Sequence, residues 1–211
     1  SSPSVVFDGS DMAGVDESAR YPARFCAAYP ETKAIAEQEV VSAGRRTSPM
    51  TICLRPHLIW GPRDNHLVPR IVERGHRLKR IGRRGNRVDT IYIDNAAHVH
   101  VLAADRLAQS PELSGRVYFI SQDDPIPVWE MVDRILAAAG KPPVNGAVSF
   151  PVAWTAAWVL ETVFRVFRLR GEPPMTRFVA RELATEHWFD ISAAKRDLGY
   201  HPEVSIEEGL K

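Results

Sequence analysis

The chain has few cysteines, almost no net charge and no long apolar run, and each of these absences narrows its class. Its two cysteines, Cys26 and Cys53, form neither a C-x-x-C motif nor a zinc pattern, which favours reduced thiols in the cytosol. With 27 basic and 26 acidic side chains, the composition gives no argument for a nucleic-acid partner. The uncharged apolar stretch at residues 148–160 is shorter than the roughly 20 residues that span a bilayer.

Ligand patterns for a metal ion are lacking as well. The seven histidines are scattered, and His98 and His100 are spaced so that one predicted helix turns them to different faces. We therefore predict no metal site. The remaining composition, 45% hydrophobic and 25% charged over 211 residues, is typical of a globular protein with one substantial core or two smaller ones.

The chain does contain a tyrosine and a lysine four residues apart, in Tyr29-Pro30-Glu31-Thr32-Lys33. If Pro30 takes the first position of a helix, Tyr29 and Lys33 lie one turn apart on the same face. A phenol titrates at about pH 10, and a neighbouring ammonium favours its ionised form, so the pair is a candidate acid/base group. The spacing alone also fits an ordinary surface pair, and the surrounding segments must decide.

Apolar runs and helical periods alternate along the chain. Residues 1–9 indicate the end of a buried strand that runs into a turn. The tyrosine helix extends to about residue 43 and ends at Gly44, and residues 51–59 form the next strand. A strand at 89–93 leads into a helix with Asp94 as its N-cap. This alternation, with a further strand at 117–121 and a helix at 128–139, predicts a parallel sheet covered by helices.

Three stretches of the sequence carry a resemblance to a known family. They are Ser-Ser-Pro-Ser-Val-Val-Phe-Asp-Gly at 1–9, Tyr-Pro-Glu-Thr-Lys at 29–33 and Leu-Arg-Pro-His-Leu-Ile-Trp-Gly-Pro at 54–62. Together they resemble the extended short-chain dehydrogenase/reductases of the epimerase/dehydratase superfamily, in particular the 3β-hydroxysteroid and sterol-4-carboxylate dehydrogenase branch. The resemblance implies an α/β fold: the C-terminal part of a Rossmann-like doubly wound parallel sheet with a smaller, mostly helical substrate domain.

One element of that family is missing from the chain. The family begins with a glycine-rich turn whose helix N-terminus holds the dinucleotide pyrophosphate, and no Gly-x-x-Gly-x-x-Gly turn occurs in these residues. We therefore expect an N-terminally truncated fragment without the pyrophosphate site. The resemblance places the C-terminal half of the dinucleotide-binding domain at 1–61, a substrate-domain segment at 62–93, a return to the sheet at 94–140 and the substrate domain at 141–211.

The resemblance also implies a role for each matching residue. Ser2 holds the substrate oxygen, with Ser1 and Ser4 as alternatives, Tyr29 exchanges the proton, and Lys33 contacts the nicotinamide ribose and lowers the tyrosine pKa. The cofactor is NAD or NADP. The predicted cofactor contacts beyond Tyr29 and Lys33 are Pro56, His57, Leu58 and Ile59, and the predicted substrate contacts are Ser4, Tyr92, Trp154 and Trp158.

Two segments leave alternatives open. Residues 63–87 carry nine Arg and Lys against Asp64 and Glu73. They fit a solvated helix at 67–74 and loop, which we favour, or a basic rim that attracts an anionic substrate or a membrane surface. The aromatic segment at 148–170 fits a helix over an apolar pocket or ordinary core, which we rank first, or an interfacial helix on a membrane.

The resemblance predicts an NAD(P)-dependent oxidoreductase that acts on the CH–OH group of a hydrophobic secondary alcohol or on its ketone. The substrate is expected to be a sterol, a steroid or a long-chain β-hydroxy or β-keto acid. A nucleotide-sugar epimerase or dehydratase is the enzymatic alternative, and a non-catalytic scaffold domain is the alternative from another class. A cytoplasmic location with peripheral membrane contact and a homodimer are further expectations.

Overall fold

The computed structural model describes residues 1–46, 49–82, 85–171 and 173–211, in which strands and helices alternate. The strands are β1 Met12–Val15, β2 Ile52–Pro56, β3 Ile59–Trp60, β4 Arg80–Ile81, β5 Arg87–Val88, β6 Ile91–Tyr92, β7 Arg116–Ile120, β8 Ile126–Pro127, β9 Ala147–Val148 and β10 His187–Phe189. The helices are α1 Ala28–Gly44, α2 Leu67–Arg74, α3 Ile93–Gln109, α4 Val128–Ala138, α5 Phe150–Val166, α6 Arg177–Glu182, α7 Ser192–Leu198 and α8 Ile206–Gly209. Arg83 and Arg84 of the basic segment lie outside the described residues.

Parallel pairing dominates among the described strands. β2 pairs with β7 over its whole length, from Ile52 opposite Arg116 to Pro56 opposite Ile120. β10 pairs in parallel with β1 on one side and with β5 on the other, and β5 pairs antiparallel with β8. Helices α1 and α3 pack on β2, and α7 packs on β7. The predicted α/β class with a parallel sheet and covering helices is confirmed.

Buried apolar side chains form two core clusters. The first lies around β2, β7, α3, β10 and α7, and includes Phe7, Phe119, Phe189, Leu198 and Tyr200. The second lies between α2, α4, α5 and the ends of β3 and β6, and includes Trp60, Tyr92, Trp129, Leu136 and Ala157. Residues 189–200 thus pack in the first cluster, and the division into domains at 61, 93 and 140 stays a prediction.

The serine segment differs from its predicted strand. Pro3–Val6 form a 3₁₀ helix that packs on α1, while Val5, Val6 and Phe7 are buried as the apolar pattern indicates. Pro3 favours a helical start because it has no N–H to leave unpaired, and the Ser2 side chain accepts a hydrogen bond from the Ser4 amide at 3.3 Å.

Three other local predictions were wrong in detail. The strand expected at 51–59 is split, because Leu58 has a positive φ of 44° that interrupts the extended backbone between β2 and β3. Asp94 lies in the first turn of α3, and Tyr92 takes the N-cap position instead. Pro30 is the third residue of α1 rather than the first, a position whose amide has no partner within the helix.

Candidate active site

Tyr29 and Lys33 lie one turn apart near the start of α1, as the sequence predicts. Tyr29 is 53% exposed, and Lys33 is exposed as well. Tyr29 lines a cavity of about 1200 Å³, and Lys33 lines a smaller one of about 410 Å³ together with Ser1 and Glu37. The phenol and the ammonium are therefore both accessible, but they line different cavities.

The serine cluster lies beside this helix because its 3₁₀ turn packs on α1. The Ser2 and Ser4 hydroxyl oxygens are 3.0 Å apart, within hydrogen-bond distance, and Ser4 is buried. Ser2 is partly exposed, whereas the hydroxyl of Ser4 is held inside the turn. Of these two serines, Ser2 is therefore the more accessible, but neither lines either cavity, whereas Ser1 lines the smaller one.

The loop after β2 contributes a mixed surface. Leu58 and Ile59 are exposed, and Leu58 lines the same large cavity as Tyr29. His57 turns inward, where its Nδ1 lies 2.8 Å from the Asp89 carbonyl oxygen and its ring stacks on His187. Burial lowers the pKa of His57 to about 4, so its imidazole is neutral at physiological pH. The His57 ring therefore packs against His187 and makes its polar contact with the Asp89 carbonyl.

The large cavity is lined mostly by apolar and aromatic side chains of α2, α4, α5 and α6. Trp154 lies on its wall, whereas Trp158 is 51% exposed and points away from it. Tyr92 is buried against Trp60 at a ring distance of 5.2 Å and does not line the cavity. The structure thus brings Tyr29, Leu58 and Trp154 together and leaves Tyr92 and Trp158 elsewhere.

Sequence reasoning missed a buried ion pair between α1 and β2. Arg55 Nη2 and Nε donate to the two Glu37 carboxylate oxygens at 2.6 and 2.9 Å, with side-chain exposures of 3% and 0%. The Tyr21 hydroxyl donates to the same carboxylate at 2.6 Å, and the Arg55 guanidinium lies 4.9 Å from the Phe119 ring. A charged residue inside an apolar strand was the available signal. The pair fixes the Tyr29 helix against the strand that leads into the 56–59 loop.

A buried acid, Asp89, was also missed. Its side chain is fully buried, its Oδ2 accepts the Phe189 amide at 2.8 Å, and Oδ1 has no partner within the described residues. Burial raises its pKa from 3.8 to about 7, and burial lowers the pKa of the neighbouring His187 to about 3. This cluster joins β10 to the segment before β6, behind the cavity wall.

Replacing Asp89 with asparagine should change how stability depends on pH. A folded-state pKa raised to about 7 means that the contribution of Asp89 is fully present below pH 3.8 and is lost as the pH rises through 7. Relative to the wild type, Asp89→Asn should therefore gain unfolding free energy between these limits, by up to roughly 4 kcal/mol. Urea titrations at several pH values measure the difference; parallel pH profiles of the two proteins contradict it.

Two further features are absent from the described residues. No group of three or more His, Cys, Asp or Glu side chains suited to a metal ion occurs in the described part of the chain. Across the same residues, no helix has both the length and the apolar character needed to cross a bilayer.

Comparisons with solved structures show which fold the chain has. The crystal structure of gox2253 matches with a TM-score of 0.72 at 23% identity, covering 100% of this chain and 62% of that one. UDP-glucuronic acid 4-epimerase from Bacillus cereus, solved with NAD, matches with a TM-score of 0.69 at 19% identity, covering 100% of this chain and 57% of that one. At these identities the likeness shows the shared Rossmann-type fold.

Sequence comparisons reach closer relatives. The 2-alkyl-3-oxoalkanoate reductase of Shewanella oneidensis is 50% identical over the whole chain, which spans 57% of that protein. The decarboxylating sterol-4-alpha-carboxylate 3-dehydrogenase of Schizosaccharomyces pombe is 37% identical over the whole chain, which spans 63% of that protein. Residues 1–152 match the 3-beta hydroxysteroid dehydrogenase/isomerase family, which is most of this chain. The protein therefore belongs to the 3-beta hydroxysteroid dehydrogenase/isomerase family.

Proposed function

We propose that the whole protein is an NAD(P)-dependent oxidoreductase that interconverts a secondary alcohol and a ketone on a hydrophobic β-hydroxy or β-keto acid. The observation that carries this proposal is the placement of Tyr29, one turn from Lys33, on the wall of an apolar cavity of about 1200 Å³. The names of both relatives describe a substrate with a carboxylate on the carbon next to the reacting one. An apolar cavity of this size fits the remaining hydrocarbon.

The described residues fit one end of a nicotinamide cofactor. Tyr29 and Leu58 face one cavity, Lys33 is exposed on the same helix, and the sequence carries no glycine-rich turn for a pyrophosphate. Lys33 would bind the nicotinamide ribose, and residues 56–59 would border the ring. When bound, the dinucleotide supplies hydride transfer.

The chain's own residues carry the proton chemistry. The Tyr29 hydroxyl donates its proton to the substrate oxygen in reduction, and the phenolate takes it back in oxidation. The Lys33 ammonium stabilises that phenolate because the two side chains are one turn apart. The Ser2 hydroxyl holds the substrate oxygen, and the apolar wall excludes water from the reacting carbon.

A turnover screen of the whole protein tests this function. We expect activity with NAD(H) or NADP(H) on 2-alkyl-3-hydroxyalkanoates and their 3-oxo acids, and weaker activity on sterols and steroids. Conversion of UDP- or dTDP-sugars alone would favour the epimerase alternative, whose support is a fold shared at less than 25% identity. Absence of turnover on every class would favour the scaffold alternative.

The outward face of α5 supports peripheral membrane contact as part of this proposal. Trp158, Val166 and Phe167 are 51%, 67% and 70% exposed, and Arg165 and Arg168 are exposed beside them. An apolar face flanked by arginines suits an anionic lipid surface, from which an apolar substrate can be drawn.

Replacing Phe167 with glutamate should weaken binding to anionic vesicles about tenfold or more, because an apolar anchor becomes a repelled charge. Val101→Glu is the matched control, since Val101 is 59% exposed on α3, and it should bind like the wild type. Vesicle sedimentation measures both. Equal binding by the Phe167 variant and the wild type would contradict membrane contact. If instead the wild type self-associates and the Phe167 variant does not, this face belongs to the expected homodimer.

A further inference from the structure

Five arginines line the large cavity, and they differ in their exposure to solvent and in their ion pairs. Arg70, Arg74 and Arg165 are exposed to solvent. Arg177 is neutralised, since its Nε donates to a Glu161 carboxylate oxygen at 2.7 Å and its amide to the other at 2.8 Å. The fifth is Arg181, which is partly buried and has no carboxylate within salt-bridge distance in the described ranges.

Arg181 is held in place by aromatic rings and leaves donors unused. Its guanidinium carbon lies 4.7 Å from the centre of the Trp154 ring and 6.0 Å from that of Phe150. Its Nε is buried and lacks a hydrogen-bond partner among the residues that the structure describes. Stacking uses the face of a guanidinium and keeps the N–H groups at its edge free for an anion. The side chain as a whole is only partly buried and lines the cavity, so its charge is open to an anionic ligand there.

The guanidinium belongs to the cavity that Tyr29 lines, and it also approaches the loop after the serine turn. A Cβ added to Gly9, in the loop after the serine turn, would be 2.5 Å from Arg181 Nη1. Burial raises the pKa of the Cys26 thiol, and the positive charge of Arg181 opposes that rise. Cys26, Tyr29 and Arg181 all line the same cavity.

The neighbouring acid does not cancel this charge. Glu182 follows Arg181 in the chain, but burial raises the pKa of its carboxyl to about 7, so that much of it is uncharged at neutral pH. Within the described residues no ion pair joins it to Arg181. The cavity that Tyr29 lines therefore contains a cation whose charge no carboxylate of the described residues neutralises.

We propose that Arg181 binds the substrate carboxylate and so restricts the enzyme to acidic hydrophobic substrates, an inference that rests on the proposed function. In a β-hydroxy acid the carboxylate is attached to the carbon next to the reacting one. Its receptor must therefore lie in the cavity that Tyr29 lines, and Arg181 lines that cavity. Arg181 also contacts Trp154, which lines the apolar wall, so one side chain joins the acid end to the hydrocarbon end of the cavity.

The test compares a 2-alkyl-3-hydroxyalkanoate with its methyl ester as substrates of the whole protein with NAD⁺ or NADP⁺. Wild type should prefer the acid. Arg181→Gln should lower kcat/KM for the acid about 10- to 100-fold, mostly through KM, because a charge-assisted pair is lost. Its kcat/KM for the ester should change less than about threefold. Arg116→Gln, which alters an exposed arginine on β7 that does not line the cavity, should leave the wild-type preference in place.

Each outcome decides a different point. Equal losses on acid and ester make Arg181 a structural residue, and no loss on the acid places the carboxylate elsewhere; either result overturns the proposal. If the wild type turns over neither the acid nor the ester, the proposed function itself is overturned. If Arg181→Gln does not fold, Arg181→Lys carries the test: it keeps the charge but lacks the planar fork, and it should lose about tenfold on the acid alone.

Discussion

Replacing Tyr29 with phenylalanine in the whole protein is expected to lower kcat by roughly 10²- to 10⁴-fold while leaving cofactor affinity nearly unchanged. The substitution removes one oxygen from a side chain that is 53% exposed on the cavity wall, so the fold should not suffer. Steady-state kinetics with the 2-alkyl-3-hydroxyalkanoate measure kcat, and calorimetry measures the dissociation constant of the dinucleotide.

Tyr118→Phe is the matched control for this change. The Tyr118 hydroxyl donates to Asp197 at 3.1 Å in the first core cluster, away from the cavity. Its loss should cost about 1 kcal/mol of stability and leave kcat unaltered. Lys33→Met should differ from both, with a lower kcat and a weaker hold on the cofactor. Undiminished turnover in Tyr29→Phe would remove Tyr29 from the mechanism.

Replacing Arg55 with methionine is expected to destabilise the whole protein by about 3 to 5 kcal/mol. The change removes both guanidinium hydrogen bonds from the buried Glu37 carboxylate, which keeps the bond from the Tyr21 hydroxyl. Burial by itself raises the pKa of Glu37, and the hydrogen bonds and charge of Arg55 bring it below its ordinary value. This stabilisation is present above the unfolded-state pKa and is lost as the pH falls through the folded-state pKa.

Arg134→Met provides the comparison on the surface. Arg134 pairs with Glu130 and Glu207 at 2.7 and 2.5 Å, but its side chain is 34% exposed, and an exposed pair contributes less than about 1 kcal/mol. The double variant Arg55→Met, Glu37→Met should recover much of the loss because no buried charge remains unpaired. Chemical denaturation measures all three proteins. Equal losses for the Arg55 and Arg134 variants would contradict a structural role for the buried pair.

The Arg55 and Glu37 pair also has a consequence for activity. Glu37 is one turn after Lys33 on α1, and Arg55 precedes Pro56 at the end of β2. The pair therefore sets the position of the acid/base helix relative to the loop that faces the same cavity as Tyr29. Loss of the pair should reduce kcat even at temperatures where the variant remains folded.

The sequence by itself determined the elements and the order of the acid/base half of the site. Local periodicity was enough for α1, α2 and α4, whose ends fall within a few residues of the predicted ones, because these helices depend on neighbours three and four residues apart. The Tyr29 and Lys33 spacing is likewise a property of one helix. The predictions of a strand in the serine segment, of one unbroken strand across Leu58 and of Asp94 as an N-cap were wrong. At these places turn geometry and a left-handed backbone override the apolar pattern.

Only the tertiary structure decided which charges are buried and which side chains share a cavity. Asp89 meets the Phe189 amide across 100 residues of chain, and Arg181 comes beside Gly9 and Trp154 from a distant segment. A composition with nearly equal numbers of acids and bases gives no sign of this, because the pKa of a group depends on its desolvation and its partners. The sequence therefore determined the Tyr29 and Lys33 spacing, and the fold decided that Arg181 lines the same cavity as Tyr29.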